Sequence, residues 1–279
     1  MTATDNTTTA TPTAAATGGA PATLNGVHAL VTGGARGIGE AVAASLLAQG
    51  ARVTLLGRSE ARLAEGVQAL AALGEVAWVA ADIADAGAVE AAFARAAQRF
   101  GPVQVLVNNA GQAVSAPFGK THAQLWQQMI DVNLTGTYHC IAAALPAMLG
   151  AGWGRIVNVA STAGLIGYPY VTAYCAAKHG VVGLTRALAL EVAKKGVTVN
   201  AVCPGYTETD IVRDAVANIV AKTRRSEDEA RAELAKRNPQ GRLVQPQEVA
   251  DAVLWLCQPG AGAVTGQSIA VAGGEVTVG

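Results

Sequence analysis

The chain has 279 residues, of which 51% are hydrophobic and only 4% are aromatic, and its formal net charge at pH 7 is zero. This length suits one large α/β domain, and the lack of a basic excess argues against nucleic acid as the main partner. No stretch of about 20 apolar residues predicts a transmembrane helix, and the four scattered cysteines lack the spacing of a zinc site or a disulfide framework.

The N-terminal segment is rich in Thr and Ala, and its first 22 residues contain no Leu, Ile, Val or aromatic residue. A segment without apolar side chains has nothing to bury in a core. We therefore expect a disordered tail over 1–24 and a folded domain over 25–279. The tail has neither the basic and apolar regions of a secretory signal nor the arginines of a mitochondrial presequence, which favours a cytoplasmic protein.

From Val27 onward, short apolar strands alternate with helical segments. Strands this apolar are buried on both faces, so the alternation predicts a parallel sheet with right-handed crossovers. The predicted fold class is a single-domain α/β protein of the Rossmann type, a doubly wound parallel sheet of seven strands with helices on both faces. The predicted strands are 28–32, 52–56, 76–80, 103–107, 154–160, 197–202 and an edge strand at 267–271. The predicted helices are 41–49, 60–73, 86–99, 121–149 and 170–194.

A glycine-rich turn joins the first strand to the first helix, with the sequence Thr32-Gly-Gly-Ala-Arg-Gly-Ile-Gly39. Glycines let the backbone turn sharply and approach a ligand, and the free N–H groups of the helix that starts near Gly37 favour an anion. The turn could also bind nothing, because its spacing differs from that of the commonest dinucleotide fingerprint. We interpret it as a phosphate-binding loop whose members are Gly33, Ala35, Arg36, Gly37, Ile38 and Gly39.

Tyr174 and Lys178 stand four residues apart in the predicted helix 170–194, so they share one face. A neighbouring cation stabilises a phenolate, so we expect Lys178 to lower the pKa of Tyr174 from its ordinary value of about 10. Ser161 directly follows the fifth strand and lies at its carboxyl end. Structural alternatives exist, because Ser161 could cap a strand end, Tyr174 could be a core aromatic, and Asn133 could brace a helix.

These motifs occur together with Asn108-Asn-Ala-Gly111, Asn133 and Pro204-Gly205. Their order and approximate spacing are those of the classical short-chain dehydrogenases/reductases, which the chain resembles over 25–279. The resemblance implies that Tyr174 exchanges a proton with the reacting carbonyl or hydroxyl oxygen and that Ser161 hydrogen-bonds this oxygen. Lys178 would also donate to the nicotinamide ribose. Asn133 would hold a water that links Lys178 to solvent.

The resemblance further implies a nicotinamide cofactor that also contacts Tyr174 and Lys178. An acidic residue at the end of the second strand would select NAD, but this chain has Gly57-Arg58-Ser59 there. Because the guanidinium of Arg58, helped by Arg36, can pair with a 2′-phosphate, NADP(H) is favoured over NAD(H). Alternatively, Arg58 is solvated and Ser59 caps a helix. The other expected cofactor contacts are Asp82, Ile83, Asn109, Ala110, Gly111, Pro204, Gly205, Thr207 and Thr209.

The segments 200–205 and 241–246 are most similar to those of 3-oxoacyl-thioester and polyketide ketoreductases. The expected activity is reduction of a ketone or a 3-oxoacyl thioester. The alternatives are an NAD-dependent secondary alcohol or hydroxyacyl-CoA dehydrogenase and a non-catalytic nicotinamide-sensing protein. The expected substrate wall contains Gln112, Thr162, Tyr168 and Tyr206, with Ala113, Val114, Ala163 and Tyr170.

The charged segment 207–240 follows the sixth strand and is either a substrate lid or a plain surface insertion. The predicted helices 121–149 and 170–194 are apolar around their circumference, and with the resemblance this predicts a homotetramer. The segment Val271-Ala272-Gly273-Gly274 lacks the Asp that relatives commonly have. His139 and His179 are interpreted as structural.

Overall fold

The structure of the chain is a computed structural model that describes residues 23–223 and 225–277. The predicted disordered tail lies outside the described residues, apart from Thr23 and Leu24. Leu24 is fully buried in the core. The folded part therefore includes Leu24, one residue before the predicted boundary.

Seven parallel strands form one sheet in the order β3-β2-β1-β4-β5-β6-β7, which confirms the predicted fold class. The strand order reverses beside β1, because the chain crosses from β3 to β4 there. In open α/β sheets such a reversal leaves a ligand crevice outside the carboxyl ends of the strands. The strands are β1 (His28–Thr32), β2 (Arg52–Gly57), β3 (Val76–Ala80), β4 (Val105–Asn108), β5 (Gly154–Val159), β6 (Val197–Pro204) and β7 (Ser268–Val271).

Helices cover both faces of the sheet. The helices α1 (Gly37–Ala48), α2 (Glu60–Leu70) and α9 (Pro246–Cys257) pack on one face, and α3 (Ala86–Phe100), α5 (Gly136–Ala151) and α6 (Thr172–Val192) pack on the other. Every residue of β1, β4, β5 and β6 is buried, as expected for strands covered on both faces.

The predicted continuous helix over 121–149 is wrong at one point. The chain forms α4 (Ala123–Ile130), a π-helical turn (Asp131–Thr135) and then α5. This wide turn holds the fully buried Asn133. A π turn adds one residue to a turn, but a segment that is apolar around its circumference has no clear periodicity in which this shift could be detected.

The charged segment 207–240 contains two helices, α7 (Asp210–Thr223) and α8 (Glu227–Ala235). They enclose a small core of Val212, Val216, Ala230 and Leu243. Ser226 and Glu229 form a capping box at the start of α8. The segment is therefore a folded part of the domain with its own small core, and its movement as a lid stays a prediction. Within the described residues, every helix is too short or too polar to cross a membrane.

Candidate active site

A cleft runs along the carboxyl ends of the strands. One half, of about 760 Å³, lies beside the glycine loop, and the other, of about 630 Å³, lies beside Tyr174. The two halves are continuous because they share the wall residues Ile38, Asn109, Gly111, Gln112 and Thr209.

The glycine loop has the shape that a phosphate cradle needs. Gly33 and Gly37 have φ angles of +64° and +55°, which favour glycine. A methyl group on Gly39 would collide with the carbonyl oxygen of Gly33, so Gly39 lets α1 pack closely against the loop. Since α1 begins at Gly37 and both Gly37 and Ile38 line the cleft, the positive end of the helix dipole lies at the cleft. The loop therefore fits an anionic group of a cofactor.

Asn109 and Thr32 hold the glycine loop against the end of β4. The Thr32 hydroxyl accepts hydrogen bonds from the N–H groups of Asn109 and Ala110, both at 2.9 Å. The Asn109 side chain donates to the carbonyl oxygens of Thr32 at 3.0 Å and of Gly33 at 3.2 Å. Asn109 thus braces the loop and also lines the cleft with Ala110 and Gly111.

The far end of the cleft contains the residues expected to contact the adenosine half of a cofactor. Arg58, Ser59, Asp82 and Ile83 all line it. Arg58 Nη1 lies 3.8 Å from Asp82 Oδ2. Ser59 Oγ accepts from the N–H of Arg62 at 3.4 Å, so Ser59 also caps α2, as its structural alternative proposed.

Arg36 is less available to a cofactor than the sequence suggested. Its Nη1 donates to Asp210 Oδ2 at 2.6 Å, and Asp210 also pairs with Arg213. Arg36 and Asp210 both line the cleft. The glycine loop and the start of α7 are therefore joined by an ion pair.

The three reactive side chains come together in the other half of the cleft. Ser161 follows β5, and its Oγ accepts from the N–H of Ala163 at 3.1 Å. Tyr174 and Lys178 lie one turn apart on α6, with Lys178 Nζ 5.7 Å from the centre of the Tyr174 ring. Lys178 Nζ also donates to the carbonyl oxygen of Val159 at 2.9 Å, which fixes the ammonium beneath the cleft.

Burial controls the ionisation of this group. It raises the pKa of Tyr174 to about 12, and a hydrogen bond with Ser161 opposes the shift. Burial also lowers the pKa of Lys178 to about 8. The expected lowering of the Tyr174 pKa by Lys178 is therefore wrong for this structure, because burial is the largest influence on this phenol and disfavours its charged form. At neutral pH Tyr174 carries its proton and Lys178 remains mostly charged.

Asn133 lies next to the Lys178 ammonium. A methyl group placed on Gly111 would lie 2.8 Å from Asn133 Oδ1 and 3.7 Å from Lys178 Nζ, so both groups border the same narrow space. The Asn133 side chain accepts from the N–H of Gln112 at 3.1 Å and donates to its carbonyl oxygen at 2.9 Å. Asn133 therefore braces the Gly111–Gln112 backbone. Its side chain also donates to the carbonyl oxygen of Met129 in α4 at 3.0 Å, so it braces a helix as well, as its structural alternative proposed.

The expected substrate residues line the half of the cleft that contains Tyr174. They are Gln112, Thr162, Tyr168 and Tyr206, with Ala113, Ala163 and Tyr170, and the cofactor contacts Pro204, Gly205, Thr207 and Thr209 line the same half. Among the described residues, Val114 alone of the expected substrate wall lies outside the lining.

Two charged residues that contact Tyr168 in this wall were missed in the sequence. The Tyr168 hydroxyl lies 2.7 Å from Glu275 Oε1, and the Arg237 guanidinium lies 4.7 Å from the centre of the Tyr168 ring. The one indication was the segment 271–274, where relatives commonly have an Asp. Glu275 immediately follows that segment, but no periodicity or motif places its carboxylate at Tyr168.

The histidines that were interpreted as structural bond to backbone carbonyl groups. His139 Nδ1 donates to the carbonyl oxygen of Ile83, and His179 Nδ1 donates to that of Cys175. Three of the four cysteines are buried as expected, and Cys175 is half-buried. In the described part of the chain, no three His, Cys, Asp or Glu side chains come together as a metal site.

The sequence and structure match proteins of one family. The family model described as short chain dehydrogenase matches residues 27–219. The chain is 43% identical to a protein assigned as ketoacyl reductase 1 of the granaticin polyketide synthase of Streptomyces violaceoruber, over 96% of this chain and 98% of that protein. It is 39% identical to a D-β-hydroxybutyrate dehydrogenase of Cupriavidus necator, over 91% of this chain and 99% of that protein. A solved structure of the actinorhodin polyketide ketoreductase with NADPH is 41% identical, with a TM-score of 0.87 over 89% of this chain and 97% of that one.

Proposed function

This chain belongs to the short-chain dehydrogenase family, and from that premise we propose that it is an NADP(H)-dependent ketone reductase whose substrate is a 3-oxoacyl thioester. One observation carries the proposal. Ser161, Tyr174 and Lys178 lie together in one half of a cleft, and the glycine loop lies in the other half. A cofactor that spans both halves would end beside the three reactive side chains.

In this proposal the nicotinamide cofactor supplies the hydride when it is bound. Tyr174, which holds its proton at neutral pH because burial raises its pKa to about 12, donates that proton to the carbonyl oxygen. Ser161 donates a hydrogen bond to the same oxygen and stabilises the charge that develops there. The Lys178 ammonium stabilises the phenolate that is left when Tyr174 loses its proton.

The preference for NADP(H) rests on the end of β2. The strand ends at Gly57, which leaves space, and the next residue, Arg58, lines the cleft with its side chain 62% exposed. A guanidinium at this place suits a 2′-phosphate. The actinorhodin ketoreductase, which was solved with NADPH, supports the same preference.

The runner-up is an NAD-dependent secondary alcohol or hydroxyacyl-CoA dehydrogenase. It is favoured by Asp82, whose carboxylate lies 3.8 Å from Arg58 and lowers the net positive charge at this end of the cleft. A sensor without turnover is less well supported, because it would not need Ser161, Tyr174 and Lys178 at one place. The homotetramer and the cytoplasmic location expected from the sequence are part of the proposal.

Turnover with purified protein tests the proposal. We expect reduction of the N-acetylcysteamine thioester of acetoacetate with a higher kcat/KM for NADPH than for NADH. Tyr174→Phe removes the transferable proton, so kcat should fall by about 10²–10⁴-fold, while the Kd for NADPH stays unchanged.

Tyr138→Phe is the matched control, because Tyr138 is exposed on α5. Activity of Tyr174→Phe close to that of the parent would remove Tyr174 from the mechanism. A preference for NADH would favour the dehydrogenase alternative, and cofactor binding without turnover of any ketone would favour the sensor.

A further inference from the structure

Tyr168 is held on several sides in the substrate wall. Its hydroxyl oxygen lies 2.7 Å from both Thr162 Oγ1 and Glu275 Oε1. The Arg237 guanidinium lies 4.7 Å from the ring centre. The ring of Tyr206 meets it edge-on, with the centres 6.3 Å apart.

The direction of these hydrogen bonds follows from their chemistry. A carboxylate only accepts, so the Tyr168 hydroxyl donates to Glu275. The oxygen of Tyr168 is then free to accept, and Thr162 donates to it. The phenol proton is therefore committed to Glu275, and Tyr168 is not a second proton donor to a substrate. Burial, with Glu275 adding to it, raises the pKa of Tyr168, which keeps this proton in place.

The same carboxylate also reaches the segment expected to cover the nicotinamide. A methyl group on Gly205 would lie 3.0 Å from Glu275 Oε2. Glu275 is brought there by a turn after β7, in which Gly273 and Gly274 have φ angles of +59° and +95°. The C-terminal segment thus places one charged group between the substrate wall and the end of β6.

We propose that Glu275 is a positioning residue that fixes the Tyr168 ring and so sets the shape, and with it the selectivity, of the substrate pocket. The proposal rests on the proposed function. Without the carboxylate, the hydroxyl of Tyr168 loses its acceptor and the ring can rotate, which enlarges the pocket. Selectivity for a small ketone over a bulky one should then decrease, although the reactive group is untouched.

The test compares Glu275→Ala, Glu275→Gln and Tyr168→Phe with the small acetoacetyl thioester and a bulky aryl ketone. For Glu275→Ala and Tyr168→Phe we expect KM for the small substrate to rise about tenfold, while kcat changes by less than about threefold. The ratio of kcat/KM between the bulky and the small ketone should rise. Glu275→Gln should restore most of the parent behaviour, because its amide oxygen accepts the same proton. The exposed Glu65 on α2 supplies the control variant, Glu65→Ala.

The double variant distinguishes positioning from a general structural role. If Glu275 acts through Tyr168, Tyr168→Phe with Glu275→Ala should be no worse than either single variant. Additive effects, an unchanged KM in Glu275→Ala, or a parallel loss of kcat and NADPH affinity would overturn the proposal. If the parent reduces no ketone, the proposed function fails. In that case the same double-mutant cycle is measured on the urea unfolding midpoint. Additive shifts of the midpoint would overturn the coupling between Glu275 and Tyr168, and non-additive shifts would support it.

Discussion

Arg58 is the residue on which the proposed preference for NADP(H) depends. Its side chain is 62% exposed, and its pair with Asp82 at 3.8 Å is long and partly solvated. Exposed pairs of this kind contribute little, about 0–1 kcal/mol. A 2′-phosphate offers the guanidinium more charge and better hydrogen-bond geometry than the distant carboxylate does, so Arg58 can turn toward it at small cost.

We therefore expect Arg58→Ala to weaken binding of 2′,5′-ADP by about tenfold or more, the value of a lost charge-assisted hydrogen bond. Binding of 5′-AMP, which lacks the 2′-phosphate, should not change. Calorimetry measures both without turnover. Arg99→Ala on α3 is the control, since Arg99 packs over the Phe100 ring. Equal losses for the two nucleotides would show that Arg58 does not recognise the phosphate.

At the residue scale, the sequence motifs predicted which side chains meet at the site, but they did not predict how deeply each side chain is buried. The four-residue spacing of Tyr174 and Lys178 placed both side chains at one site, as the structure has them. The pKa of Tyr174 came out higher than expected because it depends on how deeply the phenol is packed. Glu275 was missed because it is 107 residues from Tyr168 in sequence, and such a contact exists only once the sheet has formed.

At the element scale, the structure shows a link between the glycine loop and α7 that the sequence did not predict. Arg36 Nη1 donates to Asp210 Oδ2 at 2.6 Å. A methyl group on Gly37 would lie 3.3 Å from Thr209 Cγ2, so the Gly37 backbone also approaches the Thr209 side chain closely. Because both sides line the cleft, we expect the ion pair to couple the position of the segment 207–240 to the glycine loop.

Asp210→Asn should release Arg36 from α7. The freed guanidinium can then meet a phosphate, so we expect the affinity for 2′,5′-ADP to rise by about two- to fivefold, the range of an exposed ion pair. Cleavage of the segment 207–240 in limited proteolysis should become faster. Asp214→Asn, one turn along the same helix, is the control. An unchanged affinity and an unchanged cleavage rate would show that the ion pair does not couple the two elements.

Element positions were largely predictable because apolar strands and helical segments alternate so regularly. The limits of β1 and β3 agree with the prediction, and β6 extends two residues further, to Pro204. The π turn at Asp131–Thr135 and the small core of α7 and α8 were not predicted. Both depend on packing between segments, which local spacing does not report.

At the scale of the whole molecule, the buried His28 of β1 connects β2 with the segment that leads into β4. Its Nδ1 lies 2.6 Å from the carbonyl oxygen of Gly101, and its Nε2 lies 2.9 Å from the hydroxyl of Thr54. A carbonyl only accepts, so Nδ1 donates and Nε2 accepts from Thr54, which is the neutral form of the ring. Burial lowers the pKa of His28.

Stability should therefore fall as the pH drops below about 6.5, the value in the unfolded chain. Below that pH the unfolded chain binds a proton that folded His28 excludes, until the lowered folded pKa is reached. Urea unfolding at several pH values measures the slope, and His28→Gln should flatten it. His179→Gln on the exposed side of α6 should not. Glu248, whose pKa is lowered to about 2, affects the pH dependence of stability only in more acidic solution.

Several large apolar side chains on the outer helices are exposed in the single chain. Leu190 on α6 is 82% exposed, and on α5 Tyr138 is 55% and Leu149 39% exposed. Exposed apolar groups on neighbouring helices of one face favour an interface between copies. These residues lie on the helices for which the sequence predicts packing against a second copy.

A charge on this surface should prevent assembly. Leu190→Glu would place a carboxylate where the proposed homotetramer excludes water, which is costly because an unpaired charge resists burial. We expect the parent to sediment as a tetramer at micromolar concentration and Leu190→Glu to sediment as a smaller species with an unchanged far-ultraviolet circular dichroism spectrum. Leu73→Glu is the control, since Leu73 is 48% exposed after α2, away from these helices. A monomeric parent, or the same sedimentation coefficient for parent and Leu190→Glu, would show that this face is not the interface.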